Sequence, residues 1–179
     1  MINIQDRSQE VRRYRNIYKP KSINLLIIGE SPPHSGNDSN LHFFYNPEYN
    51  TNDNLYKAIS SVLFADNEHL EKTIGLKNFM ESGFYLLDAT DKPINKIKDE
   101  RIKNSIILSE LPARMSEIEL LIPKTTPIVL IKKNIFQLLL LPLRIQGFKV
   151  LNDNFLPFPL YENNLIRFKE DFKRYITCL

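Results

Sequence analysis

The chain has 179 residues, 42% of them hydrophobic and 25% charged, with a formal net charge of +3. That balance excludes a globally disordered protein, and the length suffices for one buried core, so a single domain over 1–179 is expected. No apolar run approaches the roughly 20 residues of a membrane helix and the amino terminus is polar, so a cytoplasmic protein with no membrane partner is expected.

Residues 1–20 are expected to form a basic helix packed on the domain. Val11, Tyr14, Ile17 and Tyr18 give one apolar stripe over Ile4–Tyr18, and Lys19-Pro20-Lys21 ends it. Arg7, Arg12, Arg13, Arg15, Lys19 and Lys21 outnumber Asp6 and Glu10 there. Such a cluster either contacts phosphates, with Arg12 and Arg13 as candidates, or is a solvated face.

Ile23 to Ile28 is nearly continuous in Leu and Ile, the pattern of a strand buried on both faces. It stops at Gly29-Glu30-Ser31-Pro32-Pro33. A glycine and a carboxylate beyond a strand's carboxyl end sit where open α/β sheets bind ligands. His34 to Asp53 has loop composition but carries Phe43-Phe44-Tyr45, so an ordered binding loop is expected. Asn54–Asp66 is an amphipathic helix capped by Asp53 or Asn54, and a second helix runs from about His69 to Glu81 before Ser82-Gly83.

Phe84-Tyr85-Leu86-Leu87 is the second expected strand, and again a carboxylate, Asp88, stands at its carboxyl end. Helix follows over Asp99–Leu111, is interrupted by Pro112 and resumes at Ala113. Thr126–Ile131 is the third strand, Asn134–Gln146 a helix broken or kinked at Pro142, and Phe148–Leu151 a short fourth strand. A loop with Leu156-Pro157-Phe158-Pro159 leads to a last helix over Glu162–Ile176. This alternation predicts a three-layer α/β/α domain around a mostly parallel four-stranded sheet.

The chain has no G-x-G-x-x-G, no P-loop and no G-x-S-x-G, and only five glycines. Its three histidines lack metal-ligand spacing, and the single Cys178 allows neither a disulfide nor a cysteine metal site. No metal and no cofactor is therefore expected. Cys178 also lies too near the end to be a good nucleophile. What remains is the rim of strand ends, which brings together Glu30, Asp88 and the LPFP loop. Asp88 equally suits a turn-capping role. Glu30 before Ser-Pro-Pro has fewer structural uses.

Taken in order, LLIIGESPP, the FFY loop, NLYKAI, FYLLDATDKPIN, PIVLIKK and LPFPL resemble the uracil-DNA glycosylase-like superfamily over nearly the whole chain. The resemblance implies the three-layer fold and excision of a base flipped into a strand-end pocket. On it, Glu30 matches the water-activating acid, and Ser31 stands where other branches carry Asp or Asn. Phe43 or Phe44, in the aromatic loop with Tyr45, resembles the residue that stacks on the base. Asp88 matches the base-reading asparagine.

An amide both donates and accepts, whereas a carboxylate only accepts and suits an exocyclic amine such as cytosine N4. A base other than uracil, or a nucleotide, is therefore an open alternative. Pro157, Phe158 and Pro159 occupy the late motif, where the family has His-Pro-Ser, and His34 is the candidate to replace the missing histidine. Lys132 and Lys133, at the end of the third strand, are candidates for phosphate contacts.

The expectation is a divergent DNA-base glycosylase-like protein that hydrolyses the N-glycosidic bond, with DNA or a free nucleotide as partner. The alternative is a catalytically inactive nucleic-acid- or nucleotide-binding module, which the missing histidine and Ser31 favour. A pocket hydrolysing some other glycoside or ester is a weaker third reading.

Overall fold

The computed structural model describes residues 7–34, 41–49, 53–64, 70–177 and 179. His69 and Cys178, named above, lie outside them. In chain order the described elements are α1 (Ser8–Ile17), β1 (Leu25–Gly29), α2 (Asn54–Leu63), α3 (Lys72–Glu81), β2 (Phe84–Asp88), α4 (Glu100–Leu121), β3 (Ile128–Leu130), α5 (Lys133–Ile145) and α6 (Glu162–Ile176). The class is α/β.

The strands form one parallel sheet in the order β2–β1–β3. Ile27 stands opposite Leu86 and Val129, and Gly29 opposite Asp88. Every residue of β1 is buried, as its unbroken apolar run requires of a central strand covered on both faces. Parallel strands put all their carboxyl ends on one rim. Glu30, Asp88 and Ile131-Lys132 therefore meet there.

The sheet has three strands where four were expected. Phe148–Leu151 is not a strand: the segment meets β3 only through one isolated parallel bridge, Ile128 to Val150, and a second bridge joins Ile131 to Leu156 in the loop beyond it. The reason is Asn152. Its Oδ1 accepts from the Leu130 N–H and its Nδ2 donates to the Leu130 carbonyl, both at 3.0 Å. A side-chain amide thus takes the place of a peptide group, and the ladder cannot run on through it.

Pro112 does not interrupt its helix either. α4 is continuous from Glu100 to Leu121. Pro112 and Leu108, the residue whose carbonyl loses its donor, are both exposed, so water can satisfy what the proline cannot. Pro142 likewise lies inside an uninterrupted α5.

α2 packs on α6, α4 on α5, and α5 against β3. Asp53 caps α2 by accepting from the Tyr56 N–H at 3.0 Å. α1 is fastened to the turn after β2, where Asp91 accepts from Arg12 and Arg15 at 2.7 Å each and from Arg114 of α4 at 3.1 Å. Burial alone would raise the Asp91 carboxyl. Arg15, Arg114 and Arg12 override it and hold the group below the ordinary carboxylate range.

Candidate functional site: a cavity at the strand ends

A cavity of about 750 Å³ opens at the carboxyl rim of the sheet. Its aromatic wall comes from the loop after β1 and from the segment after β3, chiefly Phe43, Phe44, Phe155 and Phe158. Ser31 and Asp88 supply polar atoms to its lining, and Lys132, Lys133 and Arg167 contribute cations. A concave, largely apolar site with a few convergent polar groups is the usual form of a small-ligand pocket.

The aromatic loop is held from below by Lys72 of α3. Its buried ammonium donates to the Tyr49 carbonyl at 2.5 Å, the Phe43 carbonyl at 3.4 Å and Asp53 Oδ2 at 2.7 Å. Desolvation lowers the Lys72 pKa, and Asp53 opposes that. Phe43 and Phe44 are anchored edge-on against Tyr45, and Phe44 also against Phe79. Tyr45 itself does not line the cavity. It is fully buried, and its hydroxyl accepts from the Leu86 N–H at 2.6 Å and donates to the Leu86 carbonyl at 3.2 Å.

Three carboxylates gather at the rim, and their surroundings differ sharply. Glu30 is buried and engaged on both oxygens: Lys132 Nζ lies 2.5 Å from Oε2, and Asn134 Nδ2 donates to Oε1 at 2.7 Å. It is not on the cavity lining. Asp91 holds its three arginines. Asp88, between them, is 6% exposed, and no described residue donates a hydrogen bond to its carboxyl. Burial raises its pKa to about 7; Arg15 opposes the rise and Asp91 adds to it.

Gly29 leaves room for the Asp88 carboxyl in the orientation it adopts. A Cβ on Gly29 would stand 2.6 Å from Asp88 Oδ1. Ser31 Oγ is also buried without a described partner.

Lys132 sits in a conformation rare for a side-chain-bearing residue, with φ 75°. Its N–H donates to the Leu156 carbonyl at 2.8 Å, which ties β3 to the LPFP loop. Its ammonium lies 5.1 Å from the Phe158 ring centre. Lys133 is exposed on the lining, and no described residue pairs with it.

Pro157 and Phe158 line the cavity, whereas Pro159 is buried off it. His34 is half-buried, with its backbone N–H on Asn95 Oδ1 at 2.8 Å, and is not on the lining. Arg12 and Arg13 stand on α1 beside a separate shallow hollow, Arg12 on Asp91 and Arg13 against the Tyr14 ring. The structure thus brings Ser31, Phe43, Phe44, Asp88, Lys132, Lys133, Pro157 and Phe158 together at one cavity and leaves Glu30, His34, Tyr45, Pro159, Arg12 and Arg13 off its lining.

Sequence reasoning missed Asn134, Phe155, Tyr161 and Arg167. Asn134 follows Lys132-Lys133 directly, and that adjacency was its one signal. Phe155, Tyr161 and Arg167 come to the cavity only because the chain after β3 folds back over the rim. Among the described residues no His, Cys, Asp and Glu cluster suits a metal ion, and no helix is long and apolar enough to cross a membrane. The chain matches no protein-family model, and no curated protein or solved structure matches it.

Proposed function

We propose that the cavity receives a single nucleobase and that the chain is a divergent DNA-base glycosylase-like protein with a three-layer, uracil-DNA glycosylase-like fold. The observation that carries the reading is Asp88: an unpartnered, buried carboxyl in a cavity walled by aromatic rings. Phe43, Phe44 and Phe158 on the lining supply aromatic surface against which a base could stack, a contact worth about 1–3 kcal/mol per base. The carboxyl offers hydrogen bonds to a base edge. Lys133 and Arg167 supply positive charge for phosphates, and the exposed Leu160 and Tyr161 beside them suit a base step or sugar.

Lys132 is the cation nearest in kind to the missing histidine. It lines the cavity and carries the charge that a departing base anion needs. His34 does not reach the lining and supports that role less well.

A second reading keeps the pocket without turnover, and Glu30 favours it. An acid buried off the cavity lining, with Lys132 and Asn134 each holding one of its oxygens, is poorly placed to polarise a water in the cavity. The two readings separate on single- and double-stranded oligonucleotides carrying uracil, hypoxanthine, xanthine or 5-substituted bases. Strand scission after alkali, lost in Asp88→Ala, supports excision. Salt-sensitive binding without scission selects the binding module. Neither scission nor binding at low salt removes both.

A further inference from the structure

Asp88 sits among cations and yet keeps none of them. Arg15 from α1 and Arg114 from α4 approach it, but both are committed to Asp91, at 2.7 and 3.1 Å. Lys132, from the end of β3, is committed to Glu30 at 2.5 Å. Asp91, in the turn after β2, adds a like charge, and the Tyr45 hydroxyl below is engaged with Leu86. Gly29, opposite it on β1, has no side chain to offer, and no described residue donates a hydrogen bond to the carboxyl. An ionised carboxylate in this position would have no donor from a described residue to compensate its burial, and only water in the cavity could supply one.

We propose that Asp88 meets its ligand as a carboxylic acid, its O–H donating and its carbonyl oxygen accepting, so that the cavity takes a neutral heterocycle presenting one acceptor beside one N–H donor. The inference rests on the base-pocket reading above and deepens it. In the acid form Asp88 offers the same donor and acceptor pair as an amide. It therefore pairs with the N–H and C=O of a lactam edge, or with the amine and ring nitrogen of an amidine edge. A carboxylate would turn its lone pairs on those of the ligand. Near neutral pH the group is poised between the two forms, so the proton it carries decides whether the cavity accepts its base.

The test is calorimetric titration of the whole chain with uracil, hypoxanthine, adenine and cytosine, with 1,3-dimethyluracil as an analogue lacking any ring N–H, at pH 5.5, 7.0 and 8.0. Binding of at least one base is expected, with 1,3-dimethyluracil excluded. Affinity is expected to fall about tenfold from pH 5.5 to 8.0, the loss of acid fraction for a group titrating near 7. Asp88→Asn, which keeps donor and acceptor, is expected to bind within a few-fold of wild type and without pH dependence, and Asp88→Ala to lose binding.

Affinity that rises or stays flat with pH in the wild type, or an Asp88→Asn variant that cannot bind, overturns the acid form and leaves the base pocket standing. Failure of every base, and of uracil-bearing single strands, at all three pH values overturns the pocket reading itself. Carbon-13 NMR of the Asp88 carboxyl in the free protein gives a ligand-independent check. A titration near pH 7 supports the inference, and one in the ordinary carboxylate range refutes it.

Discussion

Replacing Asp88 by Asn changes one oxygen to an NH2 group at nearly constant volume and removes the only titration at that point. In the folded chain the Asp88 pKa is raised from an ordinary 3.8 to about 7. Between those limits the folded state holds a proton that the unfolded state has released, so wild-type stability falls as pH rises. The contribution is fully present below about pH 4 and is gone above about pH 7. At about 1.4 kcal/mol per pH unit, the loss has a ceiling of about 4 kcal/mol.

Asp88→Asn is exempt from that loss. Urea denaturation of both proteins from pH 4.5 to 8.5 is therefore expected to show the variant gaining on wild type with each step up in pH, by about 2–4 kcal/mol in total, then levelling. The difference between the two proteins isolates Asp88, because Asp91 and every other group titrate in both. Parallel curves across the range would refute the reasoning. They would mean that Asp88 is ionised throughout and finds its compensating donors.

Other substitutions test the surrounding frame. Asp91→Ala removes the buried counter-charge of Arg15 and Arg114, which are 4% and 6% exposed as side chains, leaves them only the half-exposed Glu117, and is expected to cost about 2–4 kcal/mol in guanidinium denaturation. Asn152→Ala leaves the Leu130 N–H unpaired and its carbonyl with only the Leu156 N–H at 3.3 Å, and is expected to cost about 1–3 kcal/mol by the same measurement. Lys72→Met leaves the buried Asp53 without its counter-charge and is expected to cost about 3 kcal/mol. Adding Asp53→Asn should return part of that loss, which a double-mutant cycle reads directly.

The strands and helices could be read locally because their signals are local. LLII before Gly29, the i, i+3, i+4 spacing of Leu55, Ala58 and Ile59, and the Asp53 cap each lie within a few residues. The strand-end rim followed from parallel topology, and with it the nearness of Glu30 and Asp88. What could not be read was how charges are shared. Asp88 and Glu30 look alike in sequence, each an acid after an apolar strand. One keeps no partner and the other takes Lys132 and Asn134, a difference set by residues about a hundred positions away. Phe148–Leu151 failed as a strand for a similar reason: its pattern is that of a strand, and the deciding amide of Asn152 lies just beyond it. The aromatic triplet divided as well, with Phe43 and Phe44 on the cavity and Tyr45 beneath it.

Tyr45 and Asn152 share a consequence for how the molecule behaves in a crowd. A three-stranded sheet has two outer margins, and each exposes backbone groups that another chain's strand could recruit. On the β2 margin one phenol occupies both polar groups of Leu86; on the β3 margin one amide occupies both polar groups of Leu130. The sheet is small because it is stoppered, not because the chain ran out of strand-forming residues. Loosening the Tyr45 stopper would leave an adhesive border on β2, with self-association as its first symptom, whereas the β3 border stays partly paired with Lys149, Leu151 and Leu156.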